Sequence, residues 1–210
     1  MNVDFDPATH TYSRMGRPVP GVTETLRAAG LFPKEWDFAD MRLAQQAGTV
    51  AHAACEGIIK GGNVEEIVHR VCFEVEGEYW AERTAQSVLL FGNFVADMQP
   101  ELIASEWRLY SSIYGYAGTI DLVVRMRGWV WVIDLKTGFP YPAVDLQTAA
   151  YAQLVKENRS DLPIVRRGAL YLRDKQYRLD PHESPDDFRV FQSALVTNAW
   201  KRRFGLTEAA

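Results

Sequence analysis

The segment from Tyr116 to Lys136 constrains the fold of this chain more than any other part of its sequence. Its two halves, Tyr116–Met126 and Trp129–Lys136, are rich in β-branched and aromatic residues. Arg127-Gly128 lies between them and is short enough to form a tight turn. The two halves are therefore predicted to pair as antiparallel strands, which places a β-sheet at the centre of the fold.

Two carboxylates lie at corresponding positions on these two strands. Alternation of side chains from 129 to 136 places Asp134 and Lys136 at the end of an otherwise apolar face. Asp121 lies six residues before the turn and Asp134 lies six residues after it. Pairing through the turn is therefore expected to bring the two carboxylates together.

Converging carboxylates predict a metal site. Like charges at short range raise one pKa or recruit a cation, and Mg²⁺ prefers oxygen ligands. Asp121, Asp134, the backbone carbonyl of Leu135 and a substrate phosphate could supply them. Lys136 would then lie beside an attacking water, to position or deprotonate it, or to neutralise charge on the phosphate. The alternative is an Asp-x-Lys pair on the surface without any chemical role.

A histidine on an earlier helix is a candidate third ligand. The apolar spacing predicts an amphipathic helix over 35–59, and Gly48, His52 and Glu56 share one stripe of it. A glycine there permits close backbone approach, and an imidazole added to two carboxylates suits Mn²⁺ as well as Mg²⁺. Glu56 is a candidate to orient His52. The alternative is that His52 makes its hydrogen bonds with polar neighbours on the same helix face and binds no metal.

Three further residues are candidates for supporting roles. Gln147 and Tyr151 are four apart on a predicted helix, so both project from one face near its start. They could brace the strand that carries Lys136, contact a nucleic-acid backbone, or simply pack. Glu106 precedes Asp121 by 15 residues, which a hairpin would bring together. It is either a ligand of a second metal or of water, or a strand glutamate paired with Arg108.

The remaining elements complete an α/β (α+β) fold with a central mixed β-sheet flanked by helices. We expect one domain over 1–210, with a hairpin and helix leader (1–34), a helical region that carries His52 (35–100) and a sheet core with a closing helix (101–210). The predicted elements other than those above are a hairpin over 9–19, a helix over 22–29, a helical stretch over 64–97 that breaks at Gly77 or Gly92, a strand over 102–110, a helix over 145–158, strands over 165–172 and 176–179, and a helix over 187–204.

Composition excludes several classes of protein. A net charge of −4 argues against a protein that coats nucleic acid indiscriminately, although a local basic groove remains compatible with it. Cys55 and Cys72 form no C-x-x-C pair, so neither a disulfide framework nor a cysteine-bound cluster is expected. Because no apolar run approaches about 20 residues and the acidic N-terminus is a poor secretory signal, a cytoplasmic protein without membrane contact is expected.

The order of these motifs resembles the PD-(D/E)XK nuclease superfamily, in its RecB-like, phage-type exonuclease branch. The resemblance implies a restriction-endonuclease-like core, with metal at His52, Asp121 and Asp134, a catalytic Lys136, and support from Gln147 and Tyr151. It also implies Mg²⁺ or Mn²⁺, and no iron–sulfur cluster, because the cysteine set of the cluster-bearing relatives is absent. The matching motifs are Gly48-Thr49-Val50-Ala51-His52, Glu106, Gly118-Thr119-Ile120-Asp121, Ile133-Asp134-Leu135-Lys136-Thr137-Gly138 and Gln147-Thr148-Ala149-Ala150-Tyr151.

The front of the chain extends this resemblance. His10-Thr11-Tyr12 and Pro20-Gly21-Val22-Thr23 look like the leader of phage-type and mitochondrial-type members, which carry Pro-Ser-Val-Thr. Since Gly21 replaces the serine, a hydroxyl contact to DNA from that position is either lost or has to come from Thr23.

The activity implied by the resemblance is that of a metal-dependent exonuclease on linear, single- or double-stranded DNA. Its setting would be phage or bacterial recombination, repair or replication, in the bacterial host cytoplasm if the chain is phage-encoded. A recombination or replication protein is a candidate partner. The alternatives are a structure-selective or flap endonuclease with the same site, and a nucleic-acid-binding protein that keeps the fold without cutting.

Overall fold

A five-stranded mixed sheet organises the protein, as a computed structural model of the chain shows for residues 3–7, 9–32, 41–162 and 165–206. The elements in chain order are β1 (Asp4–Asp6), β2 (Thr11–Arg14), β3 (Arg17–Val19), α1 (Val22–Ala28), α2 (Met41–Ile59), α3 (Val64–Glu74), α4 (Glu78–Met98), β4 (Glu101–Tyr110), β5 (Ala117–Met126), β6 (Trp129–Lys136), α5 (Ala143–Asn158), β7 (Val165–Arg173), β8 (Gln176–Pro181) and α6 (Asp187–Arg203).

The main sheet has the strand order β4-β5-β6-β7-β8. All neighbours are antiparallel except β6 and β7, which are parallel and are joined by α5. A parallel pair needs such a crossover connection, because its strands cannot be joined by a tight turn. The predicted α/β fold with a central mixed sheet flanked by helices is therefore confirmed.

Two apolar layers bury the two faces of this sheet. On one face Trp131, Ile133 and Leu135 pack with buried residues of α2, α3 and α4. On the other face Val130 and Val132 pack with residues of α1, α5 and α6. Neighbouring side chains of a strand point to opposite faces of the sheet, so successive residues of β6 pack alternately into the two apolar layers.

The helical region differs from the prediction in its details. The predicted first helix begins at 35, but 35–40 lie outside the described residues, and α2 is seen from Met41 onward. The long stretch over 64–97 breaks at Gly77, whose φ of 86° is accessible mainly to glycine. Gly92 instead lies inside α4, where a Cβ would come within 2.9 Å of Val64. None of the described helices is both long and apolar enough to cross a membrane.

The N-terminal leader is attached to the start of β5. Strands β1 to β3 form a small antiparallel sheet, and the amide of Ala117 donates to the carbonyl of Pro20 over 3.0 Å. The hydroxyls of Tyr12 and Thr119 share a hydrogen bond of 2.8 Å. Farther along, the Asn198 side chain of α6 donates to the carbonyl of Thr25 over 2.8 Å. Helices α1 and α6, near the two ends of the described chain, therefore lie in the same helical layer as α5, on one face of the main sheet.

Candidate active site

Asp121 is the buried centre of a polar cluster at one end of the sheet. Its Oδ2 accepts a hydrogen bond of 2.7 Å from the backbone amide of Leu135 on the neighbouring strand. Its Oδ1 lies 3.5 Å from Nδ1 of His52, a residue of α2. Pairing of Leu122 with Ile133 places Asp121 beside Asp134, so the predicted convergence of the two strands is present.

Glu106 belongs to the same cluster. Pairs between β4 and β5 on either side of it place Glu106 opposite Asp121. Its Oε1 lies 3.8 Å from Nδ1 of His52, and one ligand atom from each of these three residues lies within 4.8 Å of the others. The described residues show no ion pair between Glu106 and Arg108, whose guanidinium instead lies 4.9 Å from the centroid of the Phe5 ring.

The backbone at Glu106 is unusual for a strand. Its φ is 45°, in the left-handed region that residues other than glycine rarely adopt. Such conformations cost about 1–3 kcal/mol each and are concentrated at functional sites. The turn of the backbone at this position accompanies the approach of the carboxylate to His52.

Lys136 is held by a chain of polar contacts that ends on α5. Its Nζ lies 2.6 Å from Oδ2 of Asp134 and donates to Oε1 of Gln147 over 3.2 Å. Nε2 of Gln147 in turn donates to the hydroxyl of Tyr151 over 3.0 Å. Gln147 and Tyr151 are both buried, so this chain fixes the position of the ammonium group.

Opposing effects set the charges of the cluster. Burial lowers the pKa of His52, but the charge of Asp121 and contacts with Asp121 and Glu106 outweigh it and raise the pKa to about 10. Burial raises the pKa of Asp121, whereas His52, Lys136 and the Leu135 amide together lower it below its usual value. Burial, aided by the charge of Asp121, raises the pKa of Asp134 to about 6 despite Lys136. Near neutral pH His52 is therefore a cation between carboxylates.

The donor set fits a divalent cation. Glu106, Asp121 and Asp134 carry three negative charges, while His52 and Lys136 carry two positive ones. Exchange of the His52 proton for a divalent ion would leave the group neutral. Oδ2 of Asp134 is buried and, among the described residues, accepts no hydrogen bond of good geometry even though Lys136 is close. Imidazole with carboxylate oxygens is a ligand set that Mn²⁺ and Mg²⁺ both accept.

A comparison with protein families decides which family this arrangement belongs to. A family model described as the PD-(D/E)XK nuclease superfamily matches residues 25–205. The chain belongs to the PD-(D/E)XK nuclease superfamily. The sheet and its flanking helices are consistent with the restriction-endonuclease-like core that the sequence resemblance implied, and that resemblance is confirmed at the level of the superfamily.

Comparisons with individual proteins add little to the PD-(D/E)XK assignment. One solved structure with similarity to the chain is a Eubacterium rectale protein that carries a provisional assignment as an exonuclease. The similarity covers 91% of this chain and 77% of that one, with a TM-score of 0.49 and 12% sequence identity. None of the curated proteins compared with the chain matches it.

Two predicted features of this PD-(D/E)XK site lie differently from expectation. The carboxylate of Glu56 accepts hydrogen bonds from Lys60 (2.6 Å) and Ser105 (2.8 Å), and no contact with His52 is found in the described ranges. Glu56 therefore joins α2 to β4 rather than orienting His52. A Cβ at Gly48 would meet nothing within 4 Å, so the close approach expected there is not made within the described protein. Thr23 lies half-buried in α1.

Proposed function

We propose that this protein is a divalent-metal-dependent DNA exonuclease that hydrolyses phosphodiester bonds. The observation that supports this most is the placement of Asp121 and Asp134 side by side on β5 and β6. Lys136 forms an ion pair with Asp134, and His52 lies beside Asp121. The phage-type resemblance favours action on DNA ends during recombination, repair or replication, in a bacterial or phage-infected cytoplasm.

In this proposal His52, Asp121 and Asp134 hold Mg²⁺ or Mn²⁺, together with the backbone carbonyl of Leu135. Glu106 joins them, either as a ligand or through an intervening water, because its carboxylate faces the same space. When bound, the ion supplies Lewis-acid stabilisation of the phosphate and lowers the pKa of a coordinated water. The role of the chain is to hold these carboxylates in fixed positions, with His52 and Lys136 lowering the pKa of Asp121.

Lys136 is the proposed catalytic cation. Its ammonium group is held by Asp134 and Gln147, and its side chain is 25% exposed, so it remains accessible to a substrate. From there it can orient the attacking water or neutralise charge that develops on the phosphate oxygens. Tyr151 acts on Lys136 through Gln147, and we assign both as positioning residues.

Cleavage of defined DNA substrates tests this function. End-labelled linear DNA and covalently closed circular DNA are incubated with Mg²⁺, Mn²⁺ or EDTA and either wild type, Lys136→Ala or Lys156→Ala. The last variant removes an exposed lysine from the far end of α5 as a matched control.

The expected result is metal-dependent loss of the linear DNA only, retained in Lys156→Ala and abolished in Lys136→Ala. Cutting of the circle in the same conditions would replace the exonuclease with an endonuclease that uses the same site. Binding of DNA without cutting in either metal would overturn the proposal in favour of a protein that keeps the fold and has no nuclease activity.

A further inference from the structure

A cleft opens one strand away from the proposed catalytic lysine. It has a volume of about 270 Å³, and its lining includes Phe139, Tyr171, Arg173 and Arg178. Lys136 pairs with Tyr171 on β7, and Tyr171 pairs with Arg178 on β8. Since paired residues of neighbouring strands project to the same face, the cleft continues the row that begins at Lys136.

The cleft presents an aromatic ring on an anchored loop. Phe139 is 75% exposed although it is large and apolar. The loop before it is attached to α4, because Arg83 donates to the carbonyl of Thr137 over 3.3 Å. After it, Tyr141 stacks on Phe32 with ring centroids 5.6 Å apart. An exposed aromatic held in this way is suited to stacking with a flat ligand.

Arginines supply the charge of the cleft. The guanidinium of Arg173 lies 3.7 Å from the centroid of the Phe139 ring, and it pairs with Asp174. Its Nη1 is buried and has no hydrogen-bond partner among the residues that the structure describes. Because this nitrogen is buried, Arg173 serves to hold the ring of Phe139. The exposed guanidinium of the cleft is that of Arg178, which lies 2.7 Å from Asp180 and whose side chain is 56% exposed.

Positive charge exceeds negative charge around this cleft. The hydrogen bond from Arg173, with the charges of Arg83 and Arg178, holds the pKa of Asp174 below its usual value. Asp180 pairs with Arg178, so two carboxylates face three guanidinium groups. The whole chain carries a net charge of −4. An anionic polymer is therefore attracted to this part of the surface in spite of the overall charge.

We propose that this aromatic–arginine cleft binds an unpaired nucleotide of the substrate strand beside the scissile phosphate. The base stacks on the face of Phe139 that Arg173 leaves open, and the neighbouring phosphate contacts the exposed guanidinium of Arg178 beside its ion pair with Asp180. The inference rests on the proposed function, because it takes Lys136 as the position of the chemistry. It makes the preferred substrate a single-stranded or frayed end, since a base inside a duplex cannot reach the ring.

Binding of a fluorescent 12-nucleotide thymidine strand, measured by anisotropy in EDTA, tests the cleft separately from metal and cleavage. The test variants are Phe139→Ala, Phe139→Trp and Arg178→Ala. The matched controls are Phe73→Ala, which removes a ring that is 76% exposed on α3, and Arg70→Ala, which removes an ion-paired surface arginine of the same helix. Thermal denaturation of every variant confirms that it is folded.

We expect Phe139→Ala to weaken binding about tenfold, with Phe139→Trp restoring it, because base stacking tolerates any large ring. Arg178→Ala should weaken binding and reduce the slope of log K against log salt by about 0.7, the value for one phosphate contact on a single strand. Equal affinities for the test and control variants would overturn the proposal, as would absence of binding by wild type. Metal-dependent cleavage that persists in that case would leave the nuclease function standing.

Discussion

The backbone amide of Leu135 donates a hydrogen bond of 2.7 Å to Oδ2 of Asp121. The strand that carries Asp134 and Lys136 therefore orients the carboxylate of its neighbour, and leaves Oδ1 of Asp121 directed towards His52. The position of this acid is a property of the β5–β6 pairing itself, so it is set before any ion or substrate arrives.

Asp121→Asn should separate the structural role of this residue from its proposed metal role. The amide oxygen can still accept from Leu135, so we expect the free energy of unfolding to stay within about 1 kcal/mol of wild type. Asp121→Ala leaves the buried amide without a partner and should cost about 1–3 kcal/mol. Both variants should lose Mn²⁺ binding by calorimetry. Tight Mn²⁺ binding by Asp121→Asn would remove the carboxylate from the ligand set.

Lys136→Met should lower single-turnover cleavage by a factor of about 10² to 10⁴, the usual contribution of a positioned group in proton transfer. Loss of the cation also leaves Asp134 buried and without its positive neighbour, which should raise the pKa of that carboxyl further above 6. Cleavage is measured by quenched flow with saturating Mg²⁺, and folding by circular dichroism. A folded variant that cleaves at the wild-type rate contradicts the catalytic role of Lys136.

The part of this site that could be predicted from sequence is the part defined by local periodicity. Alternation along β6 and a tight turn are enough to place Asp121 beside Asp134, because pairing across a hairpin follows from counting residues. Glu106 could not be placed in this way, since its strand is shifted in register between Leu102 and Ala104. The only sequence signal was its 15-residue spacing from Asp121, which left two environments open.

Glu56 shows why the partner of a helical residue is difficult to predict from sequence. Helical spacing correctly places it one turn from His52, but its partner is chosen by β4, which presents Ser105 to it. Contacts between a helix and a strand distant in sequence depend on how the two pack, and periodicity within the helix carries no information about that.

Glu106 and Glu56 form a matched pair for a further test. Glu106→Gln should weaken Mn²⁺ binding about tenfold, because it removes one of the two carboxylates that lie close to each other and to His52. Glu56→Gln should leave the Mn²⁺ dissociation constant unchanged, since its carboxylate contacts Lys60 and Ser105 instead. Isothermal titration calorimetry at fixed pH measures both. Equal losses of affinity in the two variants would exclude a specific part for Glu106.

Metal binding should release protons. With a pKa of about 10, His52 is protonated at pH 7.5 in the metal-free protein and has to lose that proton to act as a ligand. Calorimetry in two buffers of different ionisation enthalpy should therefore show about one proton released per Mn²⁺ bound. Affinity should rise with pH through this range, and it should weaken further below about pH 6 as Asp134 becomes protonated. His52→Asn should abolish the release, and an unchanged release in that variant would contradict ligation by His52.

Gly118→Ala and Gly48→Ala should change stability in opposite directions. A Cβ at Gly118 would lie 2.8 Å from Cε1 of Tyr151 and 3.1 Å from Leu154, so overpacking should cost about 1–3 kcal/mol. A Cβ at Gly48 meets nothing within 4 Å, and alanine in this helix should stabilise by about 0.5–1 kcal/mol. Urea denaturation measures both values. Destabilisation by Gly48→Ala would show that α2 is packed differently at that position.

The hydrogen bond from Asn198 to Thr25 joins residues that are 173 positions apart, and Phe191 of the same helix packs against Tyr116 with ring centroids 4.9 Å apart. During synthesis, α1 and the strands that carry Asp121 and Lys136 leave the ribosome well before α6 does. Until α6 emerges, only α1 and α5 cover the apolar face behind those strands, and α5, which supports Lys136, lacks its contacts with α6. We therefore expect a nascent chain to remain catalytically silent until α6 has left the ribosome.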